Sequence, residues 1–249
     1  MIHSFLLIGQ SNMAGRGFPE EAIPVDNTHI KILRNGRWQK MFRPVNPDRR
    51  TSGVNLAESF AEAYARDHGV EVGLIPCADG GTRIAQWVPG SLLFDNAVYQ
   101  ARLAMRTSTI AGILWHQGES DSCDDRYLTY EKELAAVLAA LRQELGIEDV
   151  PVLLGGLGSY LDHYTKSNHL QWPQINRALQ SLADREPGYS FVSAEGLTPN
   201  PDNLHFSAAS LHAFGLRYYD VFRKLEDPDK VFVEKPDPDD ALRTELDAL

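Results

Sequence analysis

Cysteine, basic residues and long apolar runs are all scarce in this 249-residue sequence. Its two cysteines, Cys77 and Cys123, are too few for a disulfide framework and match no metal-ligand spacing, so we expect a reduced, cytoplasmic setting. The sequence contains no run of about 18 apolar residues, and its N-terminus lacks a basic leader. Neither a membrane span nor a signal peptide is therefore predicted.

Lysine and arginine number 24 against 34 aspartate and glutamate residues, which gives a formal net charge of −10. Phosphate backbones and anionic lipid surfaces attract basic faces, so this balance argues against nucleic acid and membranes as partners. No glycine-rich phosphate-binding motif follows any apolar run, which makes a nucleotide-binding protein the least favoured alternative. The sequence carries no indication of the oligomeric state.

Apolar runs of strand length recur five times and alternate with segments of helical spacing. Several runs are apolar at nearly every position, which is typical of parallel strands covered on both faces. The predicted strands lie at 4–9, 71–78, 110–118, 150–158 and 189–196, and the predicted helices at about 56–64, 124–146, 175–182 and 211–222. This alternation predicts a three-layer αβα sandwich around a mainly parallel five-stranded sheet.

Two segments depart from the alternation. The dipeptide Asn35-Gly36 between two alternating segments predicts a β-hairpin near 30–41, as an excursion between the first strand and the first long helix. The C-terminal segment is acidic and rich in proline and aspartate, so we expect an extended strap there. The chain is thus predicted to form one domain over residues 1–225, followed by a tail over 226–249.

Polar and small residues follow the strands at the points where the strands are predicted to end. Ligands of open parallel sheets bind outside the carboxyl ends of the strands, so these residues are expected to meet at one edge. In strand order they are Gln10, Ser11 and Asn12; Gly80, Gly81, Thr82 and Arg83; Gln117, Glu119 and Asp121; and Asp202 and His205.

Together these residues supply the parts of an acyl-transfer site. A serine hydroxyl is a poor nucleophile unless a base removes its proton, and His205 is a candidate base for Ser11. Asp202, three residues earlier, is placed to hold the histidine tautomer and stabilise the imidazolium. The backbone N–H groups of Ser11 and Gly80 and the side-chain amide of Gln117 are candidate donors to the oxyanion.

Each residue alone also has a simpler interpretation. Ser11 fits a helix cap or loop, the glycine pair a turn, and Gln117 a polar strand exit. Glu119 and Asp121 would suit a metal, but no histidine or cysteine lies at ligand spacing from them, so bracing of the loop is favoured. No metal or cofactor is predicted, and only the ordered set of residues favours catalysis.

The motifs GQSNM (9–13), GGTRIAQW (80–87), HQGESD (116–121) and DNLHF (202–206) together resemble the SGNH hydrolase superfamily. Within it they are similar to the sialate O-acetylesterase-like branch, carbohydrate esterase family six. The combination of GQSNM with QGESD is far more specific than either motif, and the resemblance covers roughly residues 5–225. It implies a flavodoxin-like SGNH fold and ester hydrolysis without metal or cofactor.

The resemblance also assigns roles to residues. It implies that Ser11 is the nucleophile and that Asp202 and His205 form the acid–base pair. Gln117 occupies the position where the wider superfamily has an oxyanion-binding asparagine, and Gly80 is favoured as the glycine donor, with Gly81 as the alternative.

The residues around this set are expected to support the loop or contact substrate. Asn12 is predicted to pin the Ser11 loop, together with Glu119, while Arg83 is predicted to face the acceptor side. Trp87 and the hairpin residue Trp38 would suit a sugar ring, and burial of either in the core is an equally good interpretation.

The predicted function is a serine esterase that removes O-acetyl groups from a small or oligomeric carbohydrate through an acyl-enzyme. Two alternatives stay open. One is another SGNH activity, such as a short-chain lipase or a thioesterase, although the loops are rich in polar residues instead of apolar ones. The other is a non-catalytic sugar-binding protein, which would have no need of a paired aspartate and histidine near a serine.

Overall fold

The computed structural model describes residues 1–167, 170–227, 229 and 232–236. Within them, one sheet contains seven strands in the order β3-β2-β4-β1-β5-β6-β7. Every neighbouring pair is parallel except β2 and β3. The strands are β1 (Ile2–Gly9), β2 (Ile30–Arg34), β3 (Arg37–Lys40), β4 (Glu71–Pro76), β5 (Thr109–His116), β6 (Val152–Gly155) and β7 (Tyr189–Val192).

Helices cover both faces of the sheet, which confirms the predicted three-layer sandwich. They are α1 (Ser11–Ala14), α2 (Leu56–His68), α3 (Leu92–Ala104), α4 (Tyr127–Leu145), α5 (Trp172–Arg185) and α6 (Ala208–Phe222). Helices α2 and α6 pack together on one face, and α3, α4 and α5 pack in sequence on the other. The central strand β1 is buried throughout its apolar part, where Phe5 meets Phe60 and Phe222 edge-on.

The five predicted parallel strands are all present, but the hairpin is part of the same sheet. Strand β2 pairs with β4 in parallel, so β2 and β3 extend the sheet to seven strands. The turn residues Asn35 and Gly36 both have positive φ, at 52° and 74°, as a tight hairpin turn requires. The ring of Trp38 lies against the backbone of Gly73, where a side chain would leave no room for it. This apolar contact joins the hairpin to the sheet.

The helix α3 has no counterpart among the predicted helices. Its buried residues Phe94, Val98 and Ala101 follow helical spacing, but Leu92 and Tyr99 on the opposite face are 82% and 62% exposed. Apolar residues on both faces obscure the periodicity from which an amphipathic helix is recognised.

The start of α2 is tied to the segment that ends β1. Asn55 caps α2 by accepting the N–H of Ala57, and Glu58 completes a capping box by accepting the N–H of Asn55. The amide group of Asn55 also donates to the carbonyls of Met13 and Ala14, at 2.5 and 3.0 Å. The cap therefore fixes the position of α1 as well as that of α2.

The described part of the tail lies against the body of the domain. Phe232 stacks on His3 with ring centroids 3.7 Å apart, and Lys235 donates to the backbone carbonyls of Met105 and Ser108. The rest of the predicted strap, at 228, 230–231 and 237–249, lies outside the described residues. Among the helices that the structure describes, none is both long and apolar enough to cross a bilayer.

Candidate active site

The chain turns sharply where β1 ends, and this turn presents Ser11. Gly9 has a φ of +136°, and a Cβ atom there would lie only 2.1 Å from the carbonyl oxygen of His116. The N–H of Gln10 donates to that same oxygen at 2.9 Å, after which α1 begins at Ser11. As the first residue of a helix, Ser11 has a backbone N–H without an intrahelical partner. A hydroxyl group and a free N–H donor thus lie at the same residue.

The structure brings Ser11, His205 and Asp202 into one hydrogen-bonded line. Nε2 of His205 lies 3.0 Å from Oγ of Ser11, and Nδ1 of His205 lies 2.6 Å from Oδ2 of Asp202. Burial opposes ionisation of Asp202, but hydrogen bonds from the backbone N–H groups of His205 and Leu204 and from the imidazole outweigh it and lower the pKa of Asp202. The carboxylate is therefore ionised and oriented toward the imidazole.

Asn12 joins the Ser11 turn to the loop that carries His205. Its Nδ2 donates to Oε1 of Glu119 at 2.5 Å and to the carbonyl of Leu204 at 3.2 Å, and its Oδ1 accepts the N–H of Phe206 at 3.1 Å. Asn12 and Glu119 are 1% and 5% exposed. These contacts connect the Ser11 turn, the loop after β5 and the loop of His205.

Gln117 does not face the cavity, contrary to the prediction that its amide binds the oxyanion. The residue is fully buried, and its Nε2 already donates to Oδ2 of Asp121 at 2.5 Å, the carbonyl of Thr82 at 3.0 Å and Oε1 of Gln10 at 3.2 Å. An amide nitrogen has two hydrogens, so none is left for a substrate. Gln117 instead joins three loops beneath the site.

Gln10, which the sequence analysis placed at this edge of the sheet without giving it a role, has a free amide nitrogen at the cavity wall. Its Oε1 accepts the backbone N–H groups of Gly118 and Ser120, both at 3.3 Å, as well as Nε2 of Gln117. Backbone N–H groups only donate, so they fix which end of the Gln10 amide is oxygen. Nε2 then remains beside Ser11 without a hydrogen-bond partner in the described part of the chain.

The two candidate glycines differ in what their N–H groups contact. The N–H of Gly80 donates to Oδ2 of Asp48 at 2.8 Å, so this predicted oxyanion donor is already engaged. Gly81 has a φ of +78°, lines the cavity, and has no hydrogen-bond partner for its N–H among the described residues. Asp48 was absent from the sequence-based site.

Asp48 is the centre of a buried charge cluster. Arg16 donates Nη1 to Oδ1 and Nη2 to Oδ2 of Asp48, at 3.0 and 2.6 Å, and the two side chains are only 6% and 4% exposed. Burial alone would raise the pKa of Asp48, but hydrogen bonds from Arg16 and Ser52 outweigh it and hold that pKa below its usual value. Both members of the pair are therefore charged.

A cavity of about 460 Å³ opens over these residues. Arg83 lies at its wall, whereas Trp38 and Trp87 are 4% and 1% exposed and belong to the core. The described residues contain no group of three or more His, Cys, Asp or Glu side chains arranged to hold a metal ion. The lining consists of Gln10, Ser11, Arg16, Arg49, Thr51, Gly80, Gly81, Arg83, Glu119, Ser120, Cys123, Arg126, Tyr164, Ser167, Leu170, Leu204 and His205.

Comparison with known families gives a match over most of the chain. Residues 1–224 match the family described as carbohydrate esterase, sialic acid-specific acetylesterase. The chain is 29% identical over 240 residues to the probable carbohydrate esterase At4g34215 of Arabidopsis thaliana, which covers 85% of this chain and 86% of that protein.

Solved structures with the same fold extend over nearly the whole chain. The crystal structure of the Arabidopsis thaliana protein AT4G34215 aligns with a TM-score of 0.79 at 26% identity, over 89% of this chain and 98% of that one. NanS aligns with a TM-score of 0.69 at 17% identity, over 90% and 97% of the two chains. XAC1771, a carbohydrate acetylesterase from Xanthomonas citri, aligns at 0.67 and 17% identity, over 90% and 56%. The last two show likeness of fold alone.

Proposed function

Because this chain belongs to the family of sialic acid-specific acetylesterases and is thus a carboxylic ester hydrolase, we propose that it removes O-acetyl groups from a carbohydrate with Ser11 as nucleophile. The observation that carries this proposal is the line from Ser11 through His205 to Asp202, with gaps of 3.0 and 2.6 Å, at the wall of an open cavity. Binding a sugar without catalysis would not require a serine, a histidine and an aspartate in this hydrogen-bonded arrangement.

In the proposed reaction, Nε2 of His205 takes the proton of Ser11 as Oγ attacks the acetyl carbonyl. Asp202 accepts the Nδ1–H of the ring and stabilises the imidazolium that forms. His205 then gives this proton to the sugar oxygen as the bond between that oxygen and the acetyl carbon breaks, which releases the sugar with a free hydroxyl. A water molecule attacks the acetyl-enzyme by the same route in reverse, which releases acetate and restores Ser11.

Negative charge develops on the carbonyl oxygen during each attack and needs N–H donors. We assign this role to the backbone N–H of Ser11 and to Nε2 of Gln10, because both are free beside the nucleophile. Gln117 keeps the Gln10 amide in the orientation that leaves Nε2 free. The glycine donor would be Gly81 in the geometry observed, since Asp48 holds the N–H of Gly80.

The walls of the cavity favour a short acyl group and a polar leaving group. Leu170, Leu204 and Tyr164 are the main apolar side chains among lining residues that are otherwise polar or charged. A long acyl chain would gain little there, because its binding depends on burying apolar surface. The carbohydrate esterase activity in the name of the Arabidopsis relative agrees with this choice over a lipase or thioesterase.

The proposal is tested by hydrolysis of the acetate, butyrate and octanoate esters of p-nitrophenol, followed by acetylated sugars. The variants are Ser11→Ala and, as a matched control, Ser181→Ala on the exposed side of α5. We expect acetate-selective activity that falls roughly 10⁴-fold in Ser11→Ala and is unchanged in the control. Preference for octanoate would favour a lipase or thioesterase. Full activity in a folded Ser11→Ala protein would disprove the assignment of the nucleophile.

A further inference from the structure

Gly80 is held from both sides by one segment of the chain, residues 46–52. Asp48 accepts the N–H of Gly80 at 2.8 Å, and Nη2 of Arg49 donates to the carbonyl of Gly80 at 3.1 Å. Asn46 exchanges two hydrogen bonds with the backbone of Ala78, at 2.9 and 3.0 Å. The glycine loop beside Ser11 thus takes its position from this segment as well as from β4.

Arg16 connects the same cluster to the nucleophile and to the histidine loop. It lies five residues after Ser11 and donates from both Nη atoms to Asp48. Its carbonyl accepts Nδ2 of Asn200 at 2.9 Å, and the N–H of Asn200 donates to the carbonyl of His205 at 2.7 Å. Three loops of the site therefore share contacts with the Arg16–Asp48 pair.

Both charges of the pair lie close to the reacting atoms. A Cβ atom on Gly80 would lie 2.6 Å from Nη2 of Arg16, 2.9 Å from Oδ2 of Asp48 and 3.5 Å from Cβ of Ser11. A carboxylate at this place would oppose the negative charge of the oxyanion if nothing neutralised it. The guanidinium of Arg16 is the group that does so.

Resting on the proposed esterase function, we propose that Arg16 and Asp48 are positioning residues that act as a neutral pair. Asp48 holds Gly80 beside Ser11, and Arg16 cancels the charge of Asp48 so that an oxyanion can form next to it. If the pair only stabilised the fold, its loss would lower the measured activity only by the fraction of the protein that is unfolded, and the folded enzyme would keep its kcat. The two roles differ in kcat, in the pH profile and in the response to a compensating substitution.

The single variants are expected to have opposite electrostatic effects. Arg16→Met leaves the carboxylate of Asp48 uncompensated, so we expect kcat on p-nitrophenyl acetate to fall by about 10- to 100-fold, with KM within about threefold. The acid limb of the profile should move to higher pH, because a nearby negative charge favours the protonated imidazole of His205.

Asp48→Asn should move the acid limb to lower pH and reduce kcat by less than about fivefold, because Asn still accepts the N–H of Gly80 and Arg16 is then uncompensated. The remaining charged groups around the cavity are unchanged in every variant, so any shift of the acid limb is caused by the change at Arg16 or Asp48. These groups are Arg49 with its partner Asp79, Arg83, Glu119, Arg126 with the nearby Asp121, and Asp202.

The decisive measurement is the double variant Arg16→Met/Asp48→Asn, in which the charge is removed from both sides. We expect it to recover most of the kcat lost in Arg16→Met. Arg16→Lys keeps the positive charge but loses the bidentate contact, and its kcat should stay within about fivefold of the wild-type value. This variant replaces Arg16→Met in the comparison if Arg16→Met does not fold. The control is Arg43→Met, which deprives another buried carboxylate, that of Glu58, of its arginine away from the cavity. It should lower stability and leave kcat unchanged.

The proposal is wrong if the double variant is no more active than Arg16→Met, if both single variants shift the acid limb in the same direction, or if Arg16→Lys loses as much kcat as Arg16→Met. Ser11→Ala is measured in parallel, so that failure of the charge-pair proposal can be told apart from failure of the proposed esterase function. Activity abolished in Ser11→Ala but unchanged in Arg16→Met would overturn the charge-pair proposal alone. Activity retained in Ser11→Ala would overturn the proposed function, and this proposal with it.

Discussion

The side chains of Gln10 and Gln117 share one hydrogen bond, from Nε2 of Gln117 to Oε1 of Gln10 over 3.2 Å. The direction of this bond distinguishes the two amides. Nε2 of Gln117 donates its hydrogens to acceptors inside the protein, whereas Nε2 of Gln10 has no partner among the described residues and its residue lines the cavity. Gln117, which sequence similarity favours for the oxyanion, is therefore a buried support, and Gln10 is the glutamine that lines the cavity.

Gln10→Ala should lower kcat on the order of 100-fold and leave KM nearly unchanged, because an oxyanion donor acts mainly in the transition state. Gln117→Ala should chiefly lower the free energy of unfolding, because it removes the buried donor to the carbonyl of Thr82 and leaves Oδ2 of Asp121 with only the N–H of Ile84. Steady-state kinetics and urea unfolding of both variants check this. The assignment is reversed if Gln117→Ala loses kcat at full stability while Gln10→Ala stays active.

Ser11→Ala and His205→Ala should each remove nearly all activity, and the double variant should lose no more than either one. Residues that act as a unit give such non-additive losses. In the wild type, the rate should fall on the acid side as His205 takes up a proton and ceases to be a base. The pH dependence of kcat/KM measures this, and a profile that is flat down to about pH 4 contradicts a histidine base.

Asp202→Asn should reduce kcat by roughly 10⁴-fold, since an amide hydrogen facing Nδ1 would favour the wrong histidine tautomer. The pKa of Asp202 is held below its usual value, so its carboxylate stays ionised across the acid limb of the profile. The acid limb of the wild type should accordingly show the slope of a single proton. Asp184→Asn, on the exposed side of α5, is the matched control and should keep full activity.

His3 should make stability depend on pH independently of the active site. Burial, with the nearby charge of His68, lowers its pKa from 6.5 to about 4. The unfolded chain then binds a proton that the folded chain does not, so stability falls as the pH drops from about 6.5 toward about 4. By linkage, His3 accounts for at most about 2 kcal/mol between pH 7 and pH 5.

Urea unfolding of His3→Gln at these two pH values tests this. The variant should lose less stability on acidification than the wild type, while His163→Gln, at an exposed position, should behave like the wild type. An equal loss in His3→Gln and wild type would assign the acid sensitivity to other groups.

The architecture was largely readable from the chain because apolar periodicity reports directly on burial. Five strand-length apolar runs predict the parallel strands, and all five are found in the sheet. The helix α3 escaped prediction because Leu92 and Tyr99 lie on its exposed face. The place of the hairpin depends on the pairing of β2 with β4 and on the contact of Trp38 with Gly73, and both partners lie far away along the chain.

Some residues of the candidate site could likewise be recognised from the sequence, and others only from the fold. Ser11, Asp202 and His205 can be picked out because each follows a strand, and parallel strands bring their carboxyl ends to one edge. The two contacts at Gly80 and the free amide of Gln10 cannot be read from local sequence. They depend on Asp48, Gly118 and other partners that only folding brings near.

The sequence by itself determined the five parallel strands, most of the helices between them and which side chains arrive at the edge of the candidate site, because hydrophobic period and position along the chain are local properties. The tertiary structure alone decided which amide nitrogen remains free and how the buried charge of Asp48 is neutralised. Hydrogen bonds and buried ion pairs are short-ranged and directional. Their partners are therefore chosen by three-dimensional proximity, which a linear pattern does not contain.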